Sequence, residues 1–288
     1  MRPGRRAFPT FGQGMLVVLL VMVFYAAAGF ASGIVTIALK KEHRVTVALF
    51  GSLLGACISA VLVLNWASGE RREPLRLLVV PKLVAPVPLV LALVATLGAD
   101  VVLLQVNNWV LWLIPPGPIF REIMSSLARG NLPLVIAFVV LVGPVSEELI
   151  FRGVLLRGFL ENYGRWTAIL VSSFLFAFIH LNPWQAVSGF FLGCLFAWFV
   201  ARTGSLFPAI MGHMVSNLLG LATRRLDARI PGITTEGFHP WWLTALGALV
   251  TAAGIVAFHR ATRAARNAGA DSEAEANASC PRVVLGPR

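Results

Sequence analysis

The chain of 288 residues is 57% hydrophobic and only 13% charged, whereas soluble globular proteins carry about 25% charged residues. Its apolar residues form long blocks, several of which exceed the roughly 20 residues that a helix needs to cross a bilayer. This pattern excludes an ordinary soluble domain, and it excludes a β-barrel, whose segments of about 10 residues alternate in polarity. The sequence therefore predicts an all-α fold, a polytopic transmembrane helical bundle.

The formal net charge is +11, from 24 Lys and Arg against 13 Asp and Glu. The basic residues mostly flank the apolar blocks, as Arg71 and Arg72 do, so we expect them to set topology and to contact membrane lipids. Nucleic acid is therefore not an expected partner. Neither a disulfide framework nor a cysteine metal site is indicated, because the three cysteines are widely spaced. They are Cys57, Cys194 and Cys280.

Charged, proline-rich and glycine-rich breaks divide the apolar blocks into about eight predicted membrane-crossing segments. A short segment over residues 119–128, after the break at Pro115–Pro118, is expected to lie on the membrane surface. Pro144 is expected to kink the fourth segment, because proline removes a backbone hydrogen bond. In chain order, the crossing segments are 15–39, 45–66, one starting at 88, 132–159, 166–181, 184–200, one starting after 208, and 241–258.

An even number of crossings places both termini on the same side of the membrane. Arg2, Arg5 and Arg6 at one end and the arginines of the other end predict that this side is the cytoplasm. Lys40 and Lys41 fall on the opposite side and weaken this assignment. The arginine pair near the start and the Ala/Arg-rich tail are typical of a multi-pass protein of the bacterial inner membrane.

Two adjacent carboxylates and an arginine, Glu147, Glu148 and Arg152, follow directly after an apolar run. A charged group near the centre of a bilayer helix costs about 2.5–3.5 kcal/mol on insertion scales, so such groups usually serve a function. Glu148 and Arg152 share one helical face, which favours an ion pair. Glu147 is turned about 100° away. One neutralised glutamate beside an available one suits acid–base chemistry.

Two further polar clusters lie on separate apolar segments. Phe176 and His180 share a face at the end of the fifth segment, and His213 and Asn217 share a face of the seventh. Taken alone, the first is explained by packing at a helix end and the second by interhelical hydrogen bonding. A Glu–Arg pair alone is equally explained by a structural ion pair. Jointly, a carboxylate, two imidazoles and an amide are enough to activate a water and stabilise an oxyanion, or to bind a metal through Glu and His.

Asp100 is the remaining acid inside an apolar segment, and no partner lies within its sequence range. Intramembrane acids usually pair with polar groups of neighbouring helices. We therefore expect a structural pairing for Asp100 in preference to a role in the site.

The three clusters, in this order, resemble the motifs of the CPBP family of intramembrane proteases, also called the CAAX-protease/bacteriocin-processing or ABI family. The family pattern is EExxxR, FxxxH and HxxxN/D, which here reads Glu147 to Arg152, Phe176 to His180 and His213 to Asn217. The stretch from Gly204 to His213 is similar to the family's approach to its last motif. The resemblance covers roughly residues 130–222, and its weight lies in finding all three motifs on separate apolar segments.

The resemblance implies an eight-helix fold with its site in a cavity inside the membrane. It also implies that Glu147 activates a water and that His180 holds and orients it. His213 and Asn217 are implied to stabilise the oxyanion of the reaction.

The same resemblance implies that Glu148 and Arg152 orient the first glutamate. It favours a metal-free glutamate mechanism with no cofactor, and the sequence lacks the HExxH pattern of many zinc proteases. If a divalent metal is bound, the implied ligands are Glu147, His180 and His213.

The predicted organisation follows from these segments. It comprises a basic cytoplasmic tail (1–14), N-terminal transmembrane helices with an interfacial segment (15–129), a catalytic CPBP-like core (130–222), a last loop and helix (223–259) and a disordered tail (260–288).

We thus expect an intramembrane endopeptidase that hydrolyses peptide bonds of an unknown membrane-associated protein or peptide substrate. The alternative is a non-catalytic membrane protein, either a transporter or a bacteriocin-immunity or scaffold protein of the same fold. A transporter often shows repeated halves, and the sequence has none. A serine rhomboid is disfavoured because Ala186–Gly189 lacks the first glycine of GxSG. Nothing in the sequence indicates prenylated substrates.

Overall fold

A computed structural model of the chain describes residues 7–37, 39, 41–74, 83–226, 230–235 and 237–279. This part of the chain contains helices and no β-strand, so the predicted all-α bundle is confirmed. The helices are α1 Phe11–Ile37, α2 Lys41–Arg71, α3 Pro86–Leu113, α4 Pro118–Arg129, α5 Leu132–Asn162, α6 Arg165–Phe178, α7 Pro183–Thr203, α8 Phe207–Arg225 and α9 Trp241–Ser279.

Six of the described helices are long and apolar enough to cross a membrane, in whole or over most of their length: α1, α2, α3, α5, α7 and α9. Helix α6 is apolar but has only 14 residues, and α8 has 19 residues that include polar side chains. With these two, the predicted number of about eight segments agrees with the structure. The chain is a multi-pass membrane protein.

Several helix ends differ from their predicted positions. Helix α1 begins at Phe11, before the predicted start at residue 15, and α2 continues to Arg71. Arg2, Arg5, Arg6, Lys40 and residues 75–82 lie outside the described residues. Helix α4 confirms the short segment that was predicted after the proline-rich break.

Helix α9 overturns the predicted disordered tail. Residues 260–279 continue this helix beyond the predicted end of the eighth crossing segment, and residues 280–288 lie outside the described residues. The physical reason is composition: this stretch is rich in alanine, the strongest helix former, and it extends a helix that the apolar part has already nucleated.

Helix α5 continues through Pro144, and its turns on both sides of this region are wider, π-helical turns. Residues Ile136–Val142 and Leu149–Leu156 form π-helical turns, and the intervening Gly143–Glu148 is α-helical. The Gly143 amide donates to the Phe138 carbonyl five residues back. Single π turns often occur at functional sites, and the predicted site glutamates lie between the two wide turns.

Two buried apolar clusters flank α8. The larger joins α1, α2, α5 and α6, and the smaller joins α3, α7 and α9. Ile210 of α8 belongs to the first cluster and Ala209 to the second. The polar face of α8 is therefore fixed between two packed halves of the bundle.

Helices α3 and α9 approach closely through glycines. A Cβ atom at Gly98 would lie 2.7 Å from the Gly247 carbonyl oxygen and 2.7 Å from the Thr251 amide nitrogen. A Cβ atom at Gly247 would in turn lie 2.9 Å from the Gly98 oxygen. Small residues at such crossings let backbones meet and supply the van der Waals contact that drives helix association in membranes.

We expect Gly98→Val to separate α3 from α9 and to lower the free energy of unfolding by about 1–3 kcal/mol or more, the usual cost of overpacking. Thermal unfolding in detergent micelles measures this loss. The matched control is Gly29→Val, because a Cβ atom at Gly29 meets nothing within 4 Å. Equal melting of the two variants would contradict the assigned crossing.

Candidate active site

The centre of the site is one buried carboxylate oxygen that meets two basic groups. Glu148 Oε1 accepts a hydrogen bond from Arg152 Nη1 at 3.0 Å and lies 2.9 Å from His213 Nδ1. The side chains of Glu148 and Arg152 are both fully buried. The ion pair predicted from their spacing is confirmed, and the contact to His213 joins α5 to α8.

Arg152 has further partners that explain how a guanidinium is tolerated here. Its Nη2 donates to the Gly193 carbonyl of α7 at 3.1 Å, and its Cζ lies 4.5 Å from the centroid of the Phe176 ring. A Cβ atom at Gly193 would lie 3.2 Å from Arg152 Nη2, so a larger residue would crowd the guanidinium. The cation–π contact and the two hydrogen bonds, to Glu148 and to the Gly193 carbonyl, offset part of the cost of desolvation.

Glu147 faces the other ring nitrogen of His213, Nε2. Its Oε2 is 3.8 Å from His213 Nε2, and its side chain keeps 19% exposure, in contrast to Glu148. Ser146 lies beside the Tyr25 side chain of α1, which is in electrostatic range of Glu147. Tyr25 could not be predicted as a site neighbour, because a single tyrosine in an apolar helix carries no motif.

Two phenylalanines hold the His213 ring. Phe196 of α7 stacks on it at 5.7 Å between centroids with 29° between the planes. Phe176 of α6 meets it edge-on at 5.7 Å. The rings come from the two separate apolar clusters, so the imidazole is clamped where the halves of the bundle join.

His180 lies in the turn after α6 and not within the helix as predicted. Its Nδ1 is 3.0 Å from the Phe176 carbonyl oxygen, which only accepts, so Nδ1 carries a proton and Nε2 of the neutral ring is an acceptor. Asn182 caps the next helix by accepting from the Gln185 amide, and Pro183 occupies its first turn. The local sequence therefore fixes the turn that carries His180.

A cavity of ≈ 490 Å³ opens beside these residues. His180, His213 and Asn217 all line it, so the structure brings three of the predicted site residues to one space. Glu147 is not among the described residues that line this cavity, but its Oε2 lies 3.8 Å from Nε2 of His213, which does line it. Asp100, Trp184, Gln185 and Ser188 add further polar groups to the wall.

Asn217 has a partner that the sequence analysis did not foresee. Its Nδ2 donates to the Val139 carbonyl of α5 at 2.8 Å. In the wide turn of α5 that carbonyl would pair with the amide of residue 144, but Pro144 has no N–H. Asn217 thus satisfies an acceptor that the proline leaves unpaired, and one amide proton remains for another partner.

Asp100 pairs with α8, as expected. The Ser216 hydroxyl lies 2.9 Å from both carboxylate oxygens of Asp100. This carboxylate also lines the cavity and lies in electrostatic range of His213. Its position is therefore closer to the site than the sequence predicted.

Glu147, His180 and His213, the ligands expected if a metal is bound, do not form a group that could hold a metal ion. Within the described part of the chain, no three His, Cys, Asp or Glu side chains are grouped so as to hold a metal ion. His213 Nδ1 is bonded to Glu148 and His180 Nδ1 to a carbonyl, which leaves Nε2 of each ring as the atom that a metal would take. No step below passes through a metal.

A family model described as type II CAAX prenyl endopeptidase Rce1-like matches residues 129–219, a stretch that contains all three motifs. This match supports the resemblance of residues 129–219 to the CPBP family. A protein of Bacillus subtilis (strain 168) named "Putative membrane peptidase YdiL" is 32% identical over 85 residues, covering 30% of this chain and 35% of that protein. An Escherichia coli protein named "Uncharacterized 24.3 kDa protein" is 26% identical over 113 residues, covering 38% of this chain and 52% of that protein.

The chain thus spans between a third and about half of the length of these curated relatives. No solved structure matches it. The match to the family model ends before the last helix, so α1–α3 and α9 are described by the structure alone.

Glu148→Gln should lower the free energy of unfolding by about 3–5 kcal/mol, because it leaves the buried Arg152 without its counter-ion. Glu147→Gln, at a partly exposed side chain, should change it by less than about 1 kcal/mol. Chemical or thermal unfolding in micelles compares the two. The double variant Glu148→Gln/Arg152→Met should recover stability; if it does not, the ion pair is not the cause.

Asn217→Ala should cost about 1–3 kcal/mol, the penalty of an unsatisfied buried carbonyl. Pro144→Ala restores an N–H at residue 144, so in that background the same substitution should cost clearly less. A double-mutant cycle on unfolding free energies measures the coupling. Additive effects would show that Val139 does not depend on Asn217.

Proposed function

We propose that the chain is an intramembrane endopeptidase that hydrolyses peptide bonds of membrane-associated polypeptides with a water activated by Glu147. One observation carries the proposal. The buried Glu148 holds Nδ1 of His213, and Nε2 of the same ring faces the partly exposed Glu147 at 3.8 Å. A structural ion pair needs neither the second glutamate nor the imidazole between them. The family match supports a peptidase and does not favour the transporter or scaffold alternatives.

The gap between Glu147 Oε2 and His213 Nε2 fits one water. A water oxygen can lie about 2.8 Å from both atoms, and polar atoms farther apart than 3.5 Å are commonly bridged in this way. Glu147 takes a proton from this water, and the resulting hydroxide attacks the carbonyl carbon of the scissile bond. The carbonyl oxygen becomes the oxyanion of a tetrahedral intermediate.

His213 and Asn217 then stabilise the oxyanion. His213 Nδ1 is bonded to Glu148, which leaves Nε2 as the ring nitrogen that can donate to the oxyanion when it carries a proton. Asn217 offers the amide proton that Val139 does not use. Glu147 returns its proton to the leaving nitrogen as the C–N bond breaks, which completes hydrolysis and regenerates the carboxylate.

His180 is assigned the role of orienting the water or the substrate from the cavity wall. Because Nδ1 donates to a backbone carbonyl, Nε2 is the ring nitrogen left for the water or the substrate. Arg152 acts only through Glu148, which it holds in place. No cofactor takes part in this scheme.

The proposed substrates are polypeptides that enter the cavity from the membrane or its surface. A prenylated cysteine, as in the description of the matching family model, is not required by the scheme. We further propose that both termini face the cytoplasm of a bacterial cell and that the protein lies in the inner membrane. The basic residues near both ends of the apolar region support this orientation.

We expect Glu147→Ala to abolish cleavage, a loss of at least 10²–10³-fold by comparison with the removal of one oxyanion donor. Membranes that contain this variant should accumulate intact peptides that membranes with the unaltered protein lack. Mass spectrometry of both membranes provides the comparison. The matched control is Glu122→Ala, an exposed acid of α4.

Full proteolytic activity of purified, folded Glu147→Ala would refute the proposal. Retained folding is checked by the unfolding midpoint. Glu147 should hardly influence it, because its side chain forms no hydrogen bond with the described part of the chain and lies 3.8 Å from His213 Nε2.

A further inference from the structure

Three cavities that share lining residues run from the site toward one end of the bundle. Their volumes are ≈ 490, ≈ 370 and ≈ 580 Å³. Asn107, Gly220 and Arg224 line all three. The second and third also share Arg121 of α4. The site is therefore continuous with a longer groove.

Arg224 belongs to the same face of α8 as the site residues. His213, Asn217, Gly220 and Arg224 follow the i, i+4, i+7, i+11 spacing of one helical stripe. At a rise of 1.5 Å per residue, Arg224 lies about 10 Å beyond Asn217 and about 16 Å beyond His213. An extended peptide covers this distance with roughly three to five residues.

The guanidinium groups of Arg121 and Arg224 form no ion pair or hydrogen bond with the described part of the chain. Neighbouring arginines behave differently. Arg225 Nη2 donates to the Leu127 and Gly130 carbonyls, at 3.2 and 2.7 Å, and Arg129 donates to Ser125 at 3.0 Å. These two serve the structure, whereas the two groove arginines remain available.

The described residues that line the second and third cavities include no acid. Two guanidinium groups in one concave surface repel each other, and an anion between them relieves that repulsion. Arginine binds carboxylates through two parallel hydrogen bonds, which makes it selective for their planar shape. The charge of the groove thus favours a carboxylate ligand.

Asn107 adds a second polar requirement. Its Oδ1 is buried and has no hydrogen-bond partner in the described part of the chain. An unsatisfied buried acceptor costs about 1–3 kcal/mol, and a backbone N–H of a bound peptide would satisfy it. The groove therefore offers an acceptor for peptide backbone and cations for a carboxylate.

We infer that Arg224 and Arg121 form a carboxylate-binding subsite that selects peptide substrates with an acidic side chain or a chain-terminal carboxylate three to five residues from the scissile bond. This inference rests on the proposed function for the position of the scissile bond. The subsite deepens that function by naming the charge that the substrate carries.

The test measures binding, so it does not depend on cleavage. Purified Glu147→Gln protein in neutral detergent micelles is titrated against four fluorescein-labelled Ala/Leu peptides by fluorescence anisotropy. One peptide has an internal Glu and a terminal amide, one has Gln and a free terminal carboxylate, one has both carboxylates, and one has neither. The first two peptides separate the two sources of the carboxylate.

We expect at least one carboxylate peptide to bind about tenfold more tightly than the peptide without carboxylates, consistent with a charge-assisted hydrogen bond. Arg224→Gln or Arg121→Gln should remove most of this preference. Arg129→Gln is the matched control, because this arginine of α4 lines none of the three cavities. Arg224→Glu should instead favour a peptide in which Lys replaces Glu.

Equal affinity for all four peptides, or no binding of any peptide, would overturn the inference, because the subsite is inferred to recognise a carboxylate in an apolar peptide of any sequence. The inference would also fail if Arg129→Gln lost the preference for carboxylate peptides as much as Arg224→Gln does. If Arg224→Gln weakens binding to phosphatidylglycerol nanodiscs and leaves peptide binding unchanged, the groove holds lipid and the inference fails. If the protein binds the carboxylate peptides selectively but the unaltered enzyme cleaves no peptide, the subsite is supported and the proposed function is refuted.

Discussion

The architecture of the site depends on a single oxygen atom, Glu148 Oε1. It receives Arg152 from its own helix and His213 from α8, and neither basic group can leave without exposing a buried carboxylate. Because losing one partner of such a pair costs several kcal/mol, α5 and α8 are held in one relative position. The orientation of His213 toward Glu147 follows from that constraint and not from local helix propensity.

Much of this arrangement could be predicted from the sequence, and the reason is spacing. The i, i+4 distance between Glu148 and Arg152 fixes a shared face before any tertiary contact forms. The motif order predicted a family resemblance that the matching family model supports, and the apolar blocks identified the fold. The contact between His213 and Glu148 joins residues 65 positions apart, and no periodicity carries information on such a distance.

Other features were hidden for specific reasons. The unpaired carbonyl that Pro144 creates is predictable, but its position at Val139 depends on a π turn, which has no sequence signature. The role of Asn217 in pairing with it was therefore missed. The extension of α9 was missed because polar composition was weighed more heavily than the helix propensity of alanine. His180 lies beyond α6 because Asn182 and Pro183 begin the next helix earlier than expected.

The clamp on the His213 ring has a consequence for the direction of proton movement. The ring is held between Phe176 and Phe196, and its Nδ1 is tied to Glu148. An imidazole confined in this way cannot turn end over end to exchange its two nitrogens. In the proposed scheme, this ring therefore exchanges protons only at Nε2, on the Glu147 side, and the buried Glu148 carboxylate takes no part in that exchange.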